Sequence, residues 1–124
     1  MTREIKFRAW HEEKKKMFEI AKVDLWGDPD QTTCDLVNED DEQLFDVYLH
    51  EVTLMQFTGL YDKNGKEIYE GDIVREHVND YTPIYQNGIY MAYNVDKIND
   101  PYVSTQFNVI WRNGCEVIGN IHDQ

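Results

Sequence analysis

The sequence has no long apolar run, and this absence excludes a membrane-spanning helix. Its longest apolar stretch, residues 89–93, is far shorter than the roughly 20 residues that cross a bilayer. The first residues alternate charged and apolar side chains and lack the apolar region of a signal peptide. Two cysteines are too few for a disulfide framework. Together these absences predict a cytoplasmic protein without a membrane partner.

Basic residues are absent from one long segment. Residues 23–62 hold eleven Asp and Glu but no Lys or Arg, whereas residues 1–22 hold seven basic and four acidic groups. The net charge of the whole chain is −12. Because such a chain repels phosphate at long range, we do not expect nucleic acid to be its partner.

Patterns typical of catalytic and metal sites are also missing. The four histidines lack the i, i+4 spacing of a helical zinc site, and neither cysteine belongs to a Cys-x-x-Cys pair. Cys34 is expected in an acidic loop that raises its pKa, and Cys115 as a small buried side chain. Glycine-rich nucleotide-binding motifs are absent. The sequence therefore predicts no catalytic, metal or cofactor site, and a protein that is not an enzyme.

Alternating apolar and polar residues predict an N-terminal β-hairpin. The alternation runs through residues 4–10, and apolar residues return at 17–21 after a polar loop of about five residues. Gly27 and Pro29 mark the turn that ends this hairpin.

The acidic segment that follows is harder to interpret. Residues 28–46 look the least structured in the chain, because few apolar residues separate the carboxylates. Residues 44–51 fit a helix and a strand equally well. Val52, Thr53 and Phe57 favour a strand from about residue 48 to residue 57.

Three Asn-Gly pairs divide the second half of the chain. Asn-Gly suits two-residue hairpin turns, so the pairs at 64–65, 87–88 and 113–114 predict tight turns between strands. The strands expected around them are residues 73–78, 89–95, 102–111 and 116–121. This spacing predicts a mainly β protein, a small antiparallel barrel or sandwich. We expect one domain over residues 1–124, with subdomains 1–57 and 58–124.

Three stretches of the chain resemble parts of a known family: residues 3–10 with 15–17, residues 54–74 and residues 116–121. In this order they are similar to the start, the central signature and the closing motif of the phage and prophage YopX family. Residues 24–50 and 80–102 match none of these motifs, and such segments vary within the family. The signature positions are Gln56, Thr58, Gly59, Leu60, Asp62, Asn64, Gly65, Tyr69, Gly71, Asp72, Ile73 and Val74.

The resemblance implies an SH3-like barrel in the C-terminal half and a phage or prophage protein in a bacterial host. It implies no activity, since the family has no established functional residues. The signature residues have a structural explanation of their own: residues 62–66 form a polar turn, and Gly71 permits a bend before the strand at Ile73. A binding loop is the alternative interpretation.

Three functional hypotheses follow. The first is an accessory protein that binds other proteins, including a second copy of itself, because tyrosines are enriched at interfaces. The second is an acidic nucleic-acid mimic that occupies the DNA site of a host enzyme, based on residues 23–62. The third is a nucleic-acid-binding SH3-like barrel, which rests on fold analogy alone. The clustered tyrosines behind the first hypothesis are Tyr81, Tyr85, Tyr90, Tyr93 and Tyr102.

Overall fold

A computed structural model describes residues 5–95 and 104–123. Strands dominate both ranges. In chain order they are β1 (Phe7–His11), β2 (Lys16–Asp24), β3 (Thr33–Val37), β4 (Gln43–Tyr48), β5 (Val52–Tyr61), β6 (Glu67–Tyr69), β7 (Asp72–Glu76), β8 (Asn79–Gln86), β9 (Ile89–Asn94), β10 (Ser104–Gln106) and β11 (Glu116–Asn120). Within these ranges an α-helix, α1 (Phe107–Arg112), precedes β11, and 3-10 turns occupy Pro29–Gln31 and Leu49–Glu51.

The mainly β prediction is confirmed. Every strand pair within the described ranges is antiparallel. The chain divides into two compact units, Met1–Gln56 (unit 1) and Phe57–Gln124 (unit 2), with the boundary inside β5. The two sheets have free edge strands, and no closed barrel forms in the parts of the chain that the structure covers.

Unit 1 contains the predicted N-terminal hairpin. Its strands lie in the order β4-β3-β2-β1-β5. The long strand β2 serves two partners, because its first half pairs with β1 and its second half with β3. A register shift between Ile20 and Lys22 lets the strand bend where it changes partner. The bend encloses a core of Ala9, Phe18, Cys34, Leu36, Val47 and Val52.

Residues 28–46 look the least structured in the sequence, but they do not form the acidic loop expected around Cys34. This segment contains β3 and most of β4, and Cys34 lies in β3 rather than in a loop. Alternate residues of β3, Cys34 and Leu36, enter the core, while Asp35 faces the other way. Burial, together with the charges of Asp35 and Glu51, raises the pKa of the Cys34 thiol.

The ambiguous residues 44–51 form neither a helix nor one continuous strand. β4 ends at Tyr48, the 3-10 turn follows, and β5 begins at Val52 instead of residue 48. A bulge interrupts β4 at Phe45 and Asp46, opposite Asp35, where Asp46 has a positive φ of 54°. The N–H of Asp46 donates to Asp35 Oδ1 at 3.0 Å.

Unit 2 contains a sheet in the order β10-β9-β8-β7-β11, and β6 pairs with the second half of β5. The Asn87-Gly88 pair forms the predicted two-residue hairpin turn, with φ of 53° and 90°. The strand β8 was not predicted, because its Pro83 and its polar residues mask the alternation. The core of unit 2 is Ile68, Val74, Ala92, Phe107, Ile110 and Cys115.

The strand expected over residues 102–111 is wrong in its second part. Tyr102 and Val103 lie outside the described residues, residues 104–106 form β10, and Phe107 begins α1. Asn113-Gly114 therefore ends a helix instead of joining two strands. Gly114 has a φ of 84°, and its N–H donates to Trp111 O at 3.0 Å, which suits a glycine just after a helix.

The hydroxyl of Thr82 is buried in β8 and has no hydrogen-bond partner in the described part of the chain. Replacing Thr82 with Val keeps the shape and removes this unsatisfied group. We expect Thr82→Val to raise the free energy of unfolding by about 1–2 kcal/mol in urea denaturation. Thr82→Ser is the matched control, and it should be less stable than the native chain because it loses the methyl group. A less stable Val variant would show that the hydroxyl is bonded.

Candidate functional site

The signature turn at residues 62–66 is organised around a buried carboxylate. Asp62 is only 6% exposed. Its Oδ1 accepts the N–H groups of Asn64 and Lys66, both at 2.8 Å, and its Oδ2 accepts the N–H of Val117 at 2.9 Å. Asp62 N–H also donates to Lys66 O at 2.8 Å. One side chain therefore closes the turn and attaches it to β11.

The protonation of Asp62 follows from these contacts. Burial acts to raise the pKa of this carboxyl group, but the backbone donors Val117, Lys66 and Asn64 and the charge of Lys66 outweigh burial and lower it. Asp62 is therefore a carboxylate at neutral pH. The three hydrogen bonds that the carboxylate accepts all come from backbone N–H groups, and this arrangement is poorly suited to proton transfer by Asp62.

Within the signature, a bulge interrupts β5 between Phe57 and Tyr61. Phe57 pairs with Tyr69 and Tyr61 pairs with Glu67, so three residues of β5 lie opposite one residue of β6. Gly59 supplies the positive φ of 86° that this path needs. The hydroxyl of Thr58 donates to Ile68 O at 2.7 Å and accepts the N–H of Leu60 at 3.2 Å.

A second glycine directs the chain into β7. Gly71 has a φ of 87°, its N–H donates to Pro83 O at 3.2 Å, and its carbonyl accepts the N–H of Ile121 at 2.9 Å. Asp72 is buried and accepts the N–H of Tyr69 at 2.8 Å. These hydrogen bonds of Gly71 and Asp72 fix the direction in which the backbone enters β7.

The remaining signature residues are also placed by the sheets. Ile73 and Val74 are buried in β7, Tyr69 packs its ring on Phe57 at 5.5 Å, and Gly65 turns with a φ of 82°. Leu60 packs against the core of unit 2, and Gln56 pairs with Phe7 of β1. The signature thus forms two turns and a bulge around a short strand.

A shallow pocket of about 350 Å³ lies beside the signature turn. The indole N–H of Trp111 donates to Tyr61 O at 2.8 Å, which fixes the two aromatic residues together. Both rings stay partly exposed, and Lys63 and Arg112 place cations next to them. The pocket is lined by Tyr61, Asp62, Lys63, Trp111, Arg112, Gly114 and Cys115.

The thiol in this pocket is held in its protonated form at neutral pH. Cys115 is buried, as the sequence predicts, and burial is the main cause that raises its pKa to about 11. The carboxylates of Asp62 and Glu76 act in the same direction. A thiol with this pKa stays protonated at neutral pH, whereas the nucleophilic form of cysteine is the thiolate.

The chain matches the model of the YopX protein family over residues 6–124. The chain belongs to the YopX family. Its structure is similar to the crystal structure of protein EF1440 from Enterococcus faecalis, with a TM-score of 0.56 and 26% sequence identity over 98% of this chain and 96% of that one. No curated protein matches the sequence significantly.

The YopX signature supplies only part of the pocket. Tyr61, Asp62 and Lys63 belong to it, whereas Trp111 and Arg112 come from the end of α1. The sequence did not indicate that these two residues join the signature turn, because it predicts a strand over residues 102–111, which includes Trp111 and ends just before Arg112. The spacing of Phe107 and Ile110, followed by Asn-Gly, was the available helix signal.

The clustered tyrosines that the structure describes lie on β8 and β9, and Tyr102 lies outside the described residues. Tyr85 and Tyr90 are in T-shaped contact at 5.2 Å on β8 and β9, and Tyr81 packs on the core of unit 2. Within residues 5–95 and 104–123, no group of His, Cys, Asp and Glu is arranged to hold a metal ion. No helix in these ranges is long and apolar enough to span a membrane.

Proposed function

We propose that this YopX-family chain is a non-enzymatic phage or prophage accessory protein that binds another protein in the bacterial cytoplasm. The observation that carries the proposal is the pocket formed by Tyr61 and Trp111 beside Lys63 and Arg112. Aromatic residues and Arg are the side chains most enriched in the energetically important centres of protein interfaces. Self-association through the same pocket is included in the proposal.

The reactive groups near the pocket support binding over catalysis. The Asp62 carboxylate is committed to three backbone donors, and the Cys115 thiol is protonated. Both cysteines are buried and unpaired, which suits a reducing compartment.

Affinity capture with a matched pair of tyrosine variants tests the proposal. Tyr61 is 45% exposed and Tyr85 is 53% exposed, and each ring makes a T-shaped contact with one aromatic neighbour. We expect tagged native protein and Tyr85→Ser to recover the same partner from host cells, and Tyr61→Ser to lose it. Equal recovery by both variants would rule out the pocket, and turnover of a recovered partner would rule out the non-enzymatic role.

The acidic nucleic-acid mimic is a second candidate, because its carboxylates are held on ordered backbone. Asn38 Oδ1 accepts the N–H groups of Asp40 and Glu42, each at 3.0 Å, and Asp35 accepts Asp46 N–H. In the capture experiment, release of the partner by duplex DNA would favour the mimic. Duplex DNA and RNA themselves should bind no tighter than about 10⁻⁴ M at physiological salt, and tighter binding would favour a nucleic-acid-binding protein.

We infer that unit 1, rather than residues 58–124, has the SH3-like strand arrangement that the family resemblance implies. The strand order β4-β3-β2-β1-β5, the bent β2 shared by two partners and the 3-10 turn before the last strand support this interpretation. Fold analogy alone carries no function, so the proposal above rests on the pocket.

A further inference from the structure

Unit 1 exposes two large apolar side chains directly after β2. Trp26 is 89% exposed and Leu25 is 78% exposed. The N–H of Trp26 donates to Asp24 Oδ1 at 3.0 Å, so a local bond holds the backbone that presents the ring. An adjacent pair of this size in water is typical of an interaction surface.

The strand register places another aromatic pair at the same end of the sheet. Asp24 pairs with Thr33, and Thr33 pairs with Tyr48. Neighbouring strands lie about 4.8 Å apart, so the Cα atoms of Asp24 and Tyr48 are about 10 Å apart. Tyr48 is partly exposed and stacks on His50 at 5.4 Å with an interplanar angle of 8°. We call Leu25, Trp26, Tyr48 and His50 the Trp26 surface.

The charged residues that adjoin this surface in sequence are acidic apart from the exposed Lys22, which precedes Asp24 by two residues on β2. Residues 23–62 contain no Lys or Arg, and Asp24, Asp28, Asp30 and Glu51 adjoin the aromatic residues in sequence and are exposed. At the opposite end of β2, Lys14 and Lys16 pair with Glu42 at 3.5 and 3.0 Å. The Trp26 surface therefore combines exposed rings with carboxylates, and a cationic partner complements both.

We propose that the Trp26 surface docks an extended basic segment of a partner protein. Lys and Arg side chains stack on aromatic faces through cation–π contact, and nearby carboxylates speed their approach. The separation of about 10 Å between Asp24 and Tyr48 corresponds to roughly three residues of extended chain at about 3.3 Å each, so a short extended segment reaches from the strand end that leads into Trp26 to the Tyr48–His50 pair. This surface lies in unit 1 and is independent of the Tyr61 pocket in unit 2.

Peptide binding to the full-length protein tests the proposal. The probe is a short fluorescein-labelled peptide in which Arg and Pro alternate, since Pro favours an extended backbone. The matched peptide has Glu in place of Arg. Fluorescence anisotropy at physiological salt should show binding of the Arg peptide only. Trp26→Ala should weaken this binding about tenfold or more, whereas Tyr85→Ala should leave it unchanged.

The charge contribution needs a separate variant. Replacing Asp28 and Asp30 with Asn should weaken binding several-fold and reduce its salt dependence, whereas Asp123→Asn should change neither. Trp26 is almost fully exposed, so Trp26→Ala should keep the native melting temperature.

Three results would overturn the proposal: no binding of the Arg peptide, equal binding of the Glu peptide, or unchanged binding by Trp26→Ala. Binding that depends on Asp28 and Asp30 but not on Trp26 is purely electrostatic and would instead favour the nucleic-acid mimic.

Tyr61→Ser should bind the Arg peptide normally. A failure of the Tyr61 pocket in the capture experiment is therefore distinguishable from a failure of the Trp26 surface.

Discussion

Replacing Asp62 with Ala is expected to lower the free energy of unfolding by about 2–4 kcal/mol, because three backbone N–H groups lose a charged acceptor at once. The loss includes the bond to Val117, which joins the signature turn to β11. Urea denaturation followed by tryptophan fluorescence measures the change. Asp123→Ala, at an exposed position, is the control and should stay within about 0.5 kcal/mol of the native chain. Equal, small effects would mean that the turn is held by other contacts.

The same carboxylate should make stability depend on acid pH. The pKa of Asp62 is lower in the folded chain than its usual value of about 3.9. Its contribution is therefore complete above about pH 4 and is lost as the pH falls through the folded pKa. Asp62→Asn removes this titration, so its stability should fall less than that of the native chain on acidification below about pH 4. If the free energies of unfolding of Asp62→Asn and of the native chain fall equally on acidification, the folded chain does not lower the pKa of Asp62.

Gly71→Val is expected to lower the free energy of unfolding by about 1–3 kcal/mol, because a β-branched side chain clashes with the backbone at positive φ. Gly71 has a φ of 87° and is anchored on both sides by backbone bonds to Pro83 and Ile121. Its conformation therefore cannot relax without breaking contacts to β8 and to the end of the chain.

Two further variants define the origin of this effect. Gly71→Asn should cost less than Gly71→Val, since Asn tolerates the left-handed region. Lys63→Ala should stay within about 0.5 kcal/mol of the native chain, because its ion pair with Glu116 is long, at 3.8 Å, and exposed. Small effects for all three variants would leave the glycine without a structural role, and residues 70–72 would become the first place to look for a ligand.

Local signals in the sequence predicted the local parts of the fold. The alternation of residues 4–10 and the Asn87-Gly88 pair each indicate one hairpin, and both hairpins form. The acidic segment misled the prediction because only Cys34 and Leu36 of β3 enter the core, while carboxylates dominate the composition around them. β3 depends on packing against residues elsewhere in the chain, and the composition of the acidic segment does not reveal this packing.

The sequence also predicted the local part of the candidate site but not its long-range contact. The contiguous signature indicated the turn and its glycine conformations, but it gave no sign that Trp111 would bond to Tyr61, fifty residues earlier. That contact depends on the packing of Phe107 and Ile110 into the core of unit 2. The helix that carries them has six residues, which is less than two turns and too short for a periodic pattern to stand out.

The bulge in β4 has a consequence for how concentrated solutions of this protein behave. β4 is the outermost strand of its ladder, and such strands are templates for aggregation when they are flat and apolar. Here the backbone turns out of line at Asp46, whose N–H is already occupied by Asp35. We expect the bulge and the positive φ at this point to oppose pairing of a second copy with β4, although Phe45 beside it is exposed. The bulge and its carboxylates therefore disfavour the growth of fibres by edge-to-edge pairing of β4 strands.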